Sequence, residues 1–228
     1  MDYVITPAER PSLAVTASTD RFPVRRIYCV GRNYAAHARE MGHDSDREPP
    51  FFFQKSPGNL LGAGADFPYP PGSSDVHYEI ELVAALGRGG SSIGAEQALD
   101  YVFGYAVGLD MTRRDLQAEA KQLGRPWDVA KAFEHSAPCS AIVPVSTIGH
   151  PHSGRIWLEV NGETRQQGDL RDLIWSIPEV IEHLSGLFEL APGDLIFTGT
   201  PSGVGPCQIG DALHGGVEGV AELSLKVV

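Results

Sequence analysis

The sequence predicts an α+β fold, and three observations favour it. The 26 glycines and 17 prolines among 228 residues exceed their usual share in globular chains, which indicates many turns. Short strand patterns outnumber helical patterns. The helical patterns also do not alternate regularly with the strands, as they would in a doubly wound sheet. The length fits one domain, which we assign to residues 25–228 after an N-terminal lead-in at 1–24.

Apolar runs predict the elements of the first half of the chain. Arg26–Val30 is typical of a strand, Tyr34–Met41 has the composition of a helix, and another strand begins at Phe51. Two longer apolar runs predict strands at 77–87 and 101–109. The first half therefore contains several strands and few helices.

The second half contains two predicted helices and a hairpin. The first helix is Thr112–Leu123, with Thr112 as its N-cap. Asn161-Gly162 separates two strand patterns, which is the signature of a type I′ hairpin. The second helix is Asp172–Leu187, where Pro178 is tolerated only if a helix begins near it. Further strand patterns follow at Gly193–Thr198 and Val217–Val228.

Charge and composition exclude several classes of partner. A net charge of −11 without a basic stripe argues against nucleic-acid binding. The three cysteines are far apart and form no Cys-x-x-Cys motif, which indicates a reducing compartment. The chain shows neither a signal-peptide pattern nor an apolar run of the ~20 residues that span a bilayer. We therefore expect a cytoplasmic protein with a small-molecule partner and no membrane partner.

The most informative pattern is Glu79-Ile-Glu81 at the start of an apolar strand. Residues i and i+2 of a strand point to one face, so these carboxylates repel each other unless a cation lies between them. Asp110 ends a second apolar run. Taken singly, such residues are usually solvated strand positions or turn residues. Three carboxylates from two strands suit a hard divalent cation such as Mg²⁺ or Mn²⁺.

Further polar residues are candidates for catalysis. His37 and Glu40 lie on one side of a predicted helix, and a Glu that holds a His raises its basicity toward water. The alternative is a surface ion pair of little value. Lys131, in an apolar neighbourhood, is either a buried ammonium that needs an anion or a snorkelling side chain. Arg114 and Gln117 share a helix face directly after Asp110.

From about Arg25 to the C-terminus, the chain resembles the fumarylacetoacetate hydrolase family. The motifs that carry the resemblance are Val30-Gly-Arg-Asn-Tyr-Ala-Ala-His37-Ala-Arg-Glu40, Phe53-Gln-Lys-Ser-Pro57, His77-Tyr-Glu79-Ile-Glu81-Leu82, Gly108-Leu-Asp110-Met-Thr-Arg-Arg114-Asp-Leu-Gln117, Lys131-Ala-Phe133 and Thr198-Gly-Thr200-Pro-Ser-Gly-Val-Gly205. The last of these motifs contains the glycine-rich turn Gly199–Gly205. This turn lacks the spacing of a nucleotide-binding loop, although its N–H groups suit an anion.

The resemblance implies a mixed β-sandwich or β-roll, a homodimer, and one Mg²⁺ or Mn²⁺ per subunit. It implies that Glu79, Glu81 and Asp110 hold the metal ion. It implies a catalytic dyad of His37 and Glu40 on a lid over the substrate, with Lys131 as a third catalytic residue. The substrate-binding residues that it implies are Arg32, Tyr34, Arg114, Gln117 and Thr200.

Within the family, the chain resembles the acylpyruvate-hydrolase branch and looks closest to bacterial fumarylpyruvate hydrolases of gentisate breakdown. This implies metal-dependent hydrolysis of a C–C bond in a 2,4-diketo acid. The expected reaction converts fumarylpyruvate and water to fumarate and pyruvate. One alternative is an oxaloacetate or related 2-keto acid decarboxylase, hydratase or isomerase, because the same enolate chemistry serves those reactions. The other is a non-catalytic metal- or ligand-binding protein.

Overall fold

The structure is a computed structural model that describes residues 3–35 and 48–228. The predicted helix Tyr34–Met41 lies mostly outside the described residues, and His37 and Glu40 lie wholly outside them. The α-helices of the described residues are α1 (Ala95–Ala98), α2 (Arg114–Gln122), α3 (Asp128–Lys131), α4 (Val145–Ile148) and α5 (Ile177–Leu187). Short 3₁₀ turns occupy Pro57–Asn59, Leu99–Tyr101 and Leu170–Asp172.

Strands outnumber helices in the described parts of the chain. In chain order they are β1 (Ser12–Ala14), β2 (Arg21–Pro23), β3 (Arg26–Gly31), β4 (Phe51–Lys55), β5 (Leu60–Gly62), β6 (Val76–Tyr78), β7 (Ile80–Leu86), β8 (Val102–Leu109), β9 (Thr112–Arg113), β10 (Ala137–Cys139), β11 (Val143–Pro144), β12 (Arg155–Val160), β13 (Glu163–Asp169), β14 (Asp194–Phe197), β15 (Gly205–Cys207), β16 (Ala212–Val217) and β17 (Ala221–Lys226).

The strands form one large sheet and three smaller ones. The large sheet has the order β4-β3-β14-β7-β8-β10-β5, with β11 beside β8. It is mixed, since β3 and β14 are parallel while β7 and β8 are antiparallel. A second sheet, β13-β12-β16-β17, is antiparallel, and β15-β6-β9 and β1-β2 complete the set. These mixed sheets with few helices confirm the predicted α+β fold.

The apolar run of β7 is explained by burial on both faces, since every residue of the strand is buried. Its even-numbered side chains, from Leu82 to Leu86, belong to the main core, whereas Val83 and Ala85 belong to a second core. The four-stranded sheet packs on the main core through residues such as Leu158. The β1-β2 hairpin covers the second core. β7 is therefore the central strand of the sandwich.

The strand predicted at 77–87 is interrupted at Glu79. Before it, β6 pairs with β9 and β15, while after it β7 pairs with β8 and β14 in the large sheet. The partner strands β8 and β9 separate at Asp110 and Met111. The N–H of Asp110 donates to the carbonyl of Glu79 at 2.8 Å across this junction. The carboxylates of Glu79 and Asp110 therefore lie at the junction between two sheets. On one side of it β6 pairs with β9, and on the other side β7 pairs with β8.

Helix α2 begins at Arg114 rather than Thr112, so the prediction of Thr112 as its N-cap was wrong. Thr112 pairs with His77 in β9, and its hydroxyl donates to the carbonyl of Asp110 at 3.0 Å. A β-branched residue favours such a sheet position. The correction matters because this short strand fixes where the helix face bearing Arg114 and Gln117 begins.

The later elements follow their local signals. Asn161 and Gly162 have φ of 54° and 79°, as the predicted type I′ turn requires. Helix α5 begins at Ile177 instead of Asp172, after Ser176 and Glu179 form a capping box. Pro178 lies in the first turn, where its missing N–H breaks no helical hydrogen bond.

The three cysteines lie in the protein interior. Cys29, Cys139 and Cys207 are free and buried, and burial raises the pKa of Cys139 and of Cys207 to about 12. Their thiols therefore stay protonated and act in packing. Within residues 3–35 and 48–228, each helix is too short or too polar to cross a membrane.

We expect Leu82→Ala to lower the free energy of unfolding by about 2–5 kcal/mol, because it leaves a cavity in the main core. Leu82 is fully buried. The matched control is Leu187→Ala at a side chain that is 68% exposed, with an expected change within about 0.5 kcal/mol. Urea unfolding measures both values, and equal losses would contradict the packing assigned to β7.

Candidate functional site

The three predicted metal-binding carboxylates converge. One oxygen each from Glu79, Glu81 and Asp110 lies within 4.8 Å of the others, and all three residues are buried. They come together because the junction between the sheets brings the start of β7 beside the end of β8. Carboxylate oxygens at this spacing form a site able to bind a divalent cation.

Cationic side chains surround two of these carboxylates. Lys131 Nζ lies 2.8 Å from Glu79 Oε2 and 2.6 Å from Asp110 Oδ2. Lys55 Nζ lies 2.8 Å from Asp110 Oδ1, and Arg114 Nη2 lies 2.5 Å from Glu79 Oε1. Burial of an unpaired carboxylate costs several kcal/mol, so these contacts are required for the cluster to persist in the core.

Lys131 is the buried ammonium that the sequence predicted, and the snorkelling alternative was wrong. The residue is only 2% exposed. Burial alone would lower its pKa, but the carboxylates of Asp110 and Glu79 outweigh burial and hold the pKa of Lys131 above its usual value. Lys131 therefore remains a cation. Its ammonium is suited to stabilising negative charge and not to accepting a proton.

Lys55 is a site residue that the sequence analysis did not single out. It ends β4 and is fully enclosed, and its ammonium donates to the carbonyls of Met111, at 3.2 Å, and Lys131. Lys55 lies in the Phe53–Pro57 motif, but a lysine at a strand end is normally exposed, so the motif did not indicate a buried role for it. Its effect is to tie β4 to the carboxylate cluster and to the end of α3.

Glu81 is stabilised by a backbone donor. Its Oε2 accepts a hydrogen bond from the Gly199 N–H at 2.8 Å. Burial raises the pKa of Glu81 well above its usual range, and the nearby charges of Asp110 and Glu79 raise it further. Gly199 has φ of +100°, and a Cβ there would lie 2.7 Å from Asn33 Cβ, so glycine is required. The glycine-rich turn predicted to suit an anion thus contacts one of the chain's own carboxylates.

Gln166 is a second buried residue that the sequence analysis missed. Its Oε1 accepts from the N–H of Ile80 at 3.0 Å. Its Nε2 donates to Thr200 Oγ1 and to the carbonyl of Pro201, both at 2.9 Å. Ile80 lies between Glu79 and Glu81, so Gln166 fixes the position of Thr200 relative to these carboxylates. A glutamine in a polar strand such as β13 gives no sequence signal of this role.

A cleft opens above the carboxylates. Besides the three carboxylates, its lining residues are Val30, Gly31, Arg32, Phe51, Phe53, Arg114, Gln117, Lys121, Trp127, Lys131 and Thr200. The structure thus brings Arg32, Arg114, Gln117 and Thr200 together with the cluster. Arg114 Nη1 donates to Gln117 Oε1 at 2.7 Å, which orients both side chains on the predicted helix face.

Among the described residues, one predicted site residue, Tyr34, does not line this cleft. Tyr34 is 2% exposed and packs in the main core, so the structure gives it a packing role and its substrate contact stays a prediction. His37 and Glu40 lie outside the described residues. Their catalytic roles likewise stay predictions.

Comparison with known proteins agrees with this geometry. Residues 26–228 match the family model described as the C-terminal part of fumarylacetoacetate (FAA) hydrolase. The fold is also similar to the crystal structure of fumarylpyruvate hydrolase from Pseudomonas aeruginosa in complex with Mn²⁺ and pyruvate. The two chains are 52% identical with a TM-score of 0.97, over 100% of this chain and 99% of that one.

Two relatives bear different names. A fumarylpyruvate hydrolase of Ralstonia sp is 49% identical over 189 residues, which cover 82% of this chain and 98% of the relative. The mitochondrial oxaloacetate tautomerase FAHD1 of Mus musculus is 45% identical over 203 residues, which cover 89% of this chain and 91% of the relative. Similarity alone therefore leaves two reactions in view.

We expect Glu81→Ala to abolish Mn²⁺ binding without unfolding the protein. The change removes one of three carboxylates that fit a divalent cation. The change also leaves the Gly199 N–H without its acceptor, at a cost of about 1–3 kcal/mol, which is less than the usual total stability of a folded domain. Calorimetric titration with Mn²⁺ measures binding, and circular dichroism measures folding.

The matched control for this variant is Glu163→Ala, at an exposed glutamate of β13. The control is expected to bind Mn²⁺ like the unmodified protein. Unchanged Mn²⁺ affinity in Glu81→Ala would remove Glu81 from the set of metal ligands.

Proposed function

Since the chain belongs to the fumarylacetoacetate hydrolase family, we propose that it hydrolyses a carbon–carbon bond of a 2,4-diketo acid, with fumarylpyruvate as substrate and fumarate and pyruvate as products. The observation that carries the proposal is the buried triad of Glu79, Glu81 and Asp110 with Lys131 in its midst, at the floor of a cationic cleft. The names of the Ralstonia and Pseudomonas relatives support the same reaction.

The donor set fits a hard divalent cation. We assign Glu79, Glu81 and Asp110 as the ligands of one Mg²⁺ or Mn²⁺, since all three supply oxygen and lie close enough to share an ion. When bound, this ion supplies Lewis-acid stabilisation of the negative charge that develops on the departing pyruvate unit. The bound Mn²⁺ of the Pseudomonas relative supports this assignment.

The cationic and amide groups of the cleft bind the substrate and stabilise its charge. Cleavage of the C–C bond expels a carbanion. This leaving group is stabilised because its negative charge is delocalised as the enolate of pyruvate. We assign Lys131 to stabilise that enolate oxygen, because its ammonium is preorganised in a buried position. Arg114, Gln117 and Thr200 orient the carboxylate and 2-oxo group from the adjoining wall of the cleft.

The proposed water activation rests on the sequence spacing of His37 and Glu40. His37, held by Glu40, removes a proton from water, and the hydroxide adds to the acyl carbonyl. The C–C bond then breaks and its electron pair enters the pyruvate enolate. The imidazolium returns its proton to the enolate carbon, which gives pyruvate and the free acid. The dyad is therefore unchanged after one turnover.

The test of this function is turnover of fumarylpyruvate, followed by loss of its conjugated-enol absorbance with Mg²⁺ and then with EDTA. We expect rapid loss with Mg²⁺, formation of pyruvate and fumarate in equal amounts, and arrest by EDTA. Absence of turnover with Mg²⁺ and with Mn²⁺ would refute fumarylpyruvate hydrolysis. Equal rates with and without EDTA would refute the metal dependence.

We expect His37→Ala to lower kcat for fumarylpyruvate by about 10²–10⁴-fold, the usual contribution of a general base. Steady-state kinetics with saturating Mg²⁺ measures the loss. The matched control, His152→Ala, changes an exposed histidine and is expected to keep full turnover. Full turnover by His37→Ala would remove the proposed base.

A second candidate reaction is the tautomerisation of oxaloacetate, which the name of the mouse relative favours. It needs proton transfer at the carbon beside the 2-oxo group and no attack by water. The same cleft supplies cations for the enolate in either reaction. Conversion of enol to keto oxaloacetate at a rate far above any cleavage of fumarylpyruvate would favour this candidate.

The proposal also includes a homodimer in the cytoplasm that acts in gentisate breakdown. The dimer and the pathway come from the motif resemblance to the acylpyruvate-hydrolase branch. The cytoplasmic location is supported by the three buried cysteines, which are free thiols as a reducing compartment allows.

A further inference from the structure

Three aromatic rings form one wall of the cleft. Phe51 packs edge-on against Trp127 with ring centroids 5.4 Å apart, and Phe53 lies 5.8 Å from Trp127. A cation contacts each ring. The pairs are Lys131 with Phe53 at 5.1 Å, Lys121 with Trp127 at 5.2 Å and Arg32 with Phe51 at 5.3 Å. Lys131 belongs to the floor of the cleft, which leaves Lys121 and Arg32 as cations of its wall.

Lys121 is placed on the cleft by helix periodicity. It follows Gln117 by four residues and Arg114 by seven, so the three side chains lie on one face of α2. All three line the cleft. The helical spacing of these residues is visible in the sequence, but the sequence analysis singled out Arg114 and Gln117 and not Lys121. Lys121 itself has no role in the proposed cleavage.

The charges nearest to Lys121 are mostly positive. Partial burial lowers its pKa, and the cations Arg114 and Arg32 lower it further, against a smaller opposite effect of Glu79. Within residues 3–35 and 48–228, no carboxylate forms an ion pair with Lys121 or Arg32. Burial lowers the pKa of Arg32, and the more distant Glu48 carboxylate raises it by a smaller amount. Two cations that face one cleft without such a partner there provide a site for an anion.

Arg32 is held in place by its backbone. Its φ is +58°, a left-handed conformation that is uncommon for residues other than glycine and asparagine. The preceding residue, Gly31, has no room for a side chain, because a Cβ there would overlap the Phe51 ring. The ring that Arg32 contacts therefore packs directly against the backbone before it. The guanidinium is thus positioned by local structure, and little ordering is needed when an anion binds.

We propose that Lys121 and Arg32 form a subsite for the second carboxylate of the substrate, at the end remote from Glu79, Glu81 and Asp110. The subsite selects acylpyruvates whose acyl group ends in a carboxylate. The inference rests on the proposed function for the identity of the reacting end. A terminal carboxylate relieves the repulsion between the two cations, whereas a terminal methyl group leaves it in place.

The first experiment measures binding, so its outcome does not depend on turnover. Its two probes are 2-oxoheptanedioate and 2-oxoheptanoate, which have the same carbon chain with and without the terminal carboxylate. Calorimetry in the presence of Mn²⁺ gives Kd for the unmodified protein, for Lys121→Gln and for Lys226→Gln. Lys226 is an exposed lysine on β17 and serves as the matched control.

We expect the unmodified protein and Lys226→Gln to bind the diacid at least about 10-fold more tightly than the monoacid, as one charge-assisted hydrogen bond provides. Lys121→Gln should lose most of this preference, and Lys121→Arg should retain it. Equal affinity of the unmodified protein for the two probes would overturn the inference. An undiminished preference in Lys121→Gln would also overturn it. Lys121 is exposed at the cleft rim, so its replacement leaves the core intact.

Kinetics then separates this inference from the proposed function. With Lys121→Gln, kcat/KM for fumarylpyruvate should fall at least about 10-fold more than that for acetylpyruvate, mainly through KM. Equal losses for the two substrates would indicate a structural role and contradict the subsite. If the unmodified protein cleaves neither substrate but prefers the diacid probe, the proposed hydrolysis fails while the subsite stands.

Discussion

The placement of Lys131 between Glu79 and Asp110 is the interaction on which the site depends. Glu79 and Asp110 cannot remain ionised in a buried cluster without compensating charge, which Lys131, Lys55 and Arg114 supply. When Glu81 also ionises to bind a divalent ion, the three carboxylates, the three cations and the ion together leave two positive charges in excess. That excess suits the dianionic substrate that we propose, although the chain as a whole carries a net charge of −11.

The sheet architecture explains why this cluster forms at one point. Strand pairing changes at Glu79 and Asp110, where each segment leaves one sheet and continues into another. Both segments still continue through the core. At this junction the Gln166 side chain accepts a hydrogen bond from the Ile80 N–H, and the Gly199 N–H donates one to the Glu81 carboxylate. The cluster is thus built into the centre of the sandwich, where packing on both faces of β7 restricts its movement.

The sequence predicted the strands, the hairpin and the three carboxylates, because each has a local pattern. The same-face argument for Glu79 and Glu81 reached the right cluster although it assumed an unbroken strand. Lys55 and Gln166 have no such pattern, since their roles exist only once distant strands supply their partners. Thr112 was misassigned for a related reason, because the same residue suits a helix cap or a strand and tertiary pairing decides.

The floor of the cleft consists of buried side chains, whereas its rim includes the exposed Lys121 of helix α2. The floor is a closed network of buried groups in which each side chain fixes its neighbours, so substitution there disturbs several contacts at once. The rim residue Lys121 is an exposed side chain of one short helix, and among the aromatic rings of the wall it contacts Trp127. With the function and subsite that we propose, a lineage of such proteins can change the acyl group it accepts through single rim substitutions while it keeps the same enolate chemistry. Divergence of selectivity would precede divergence of mechanism.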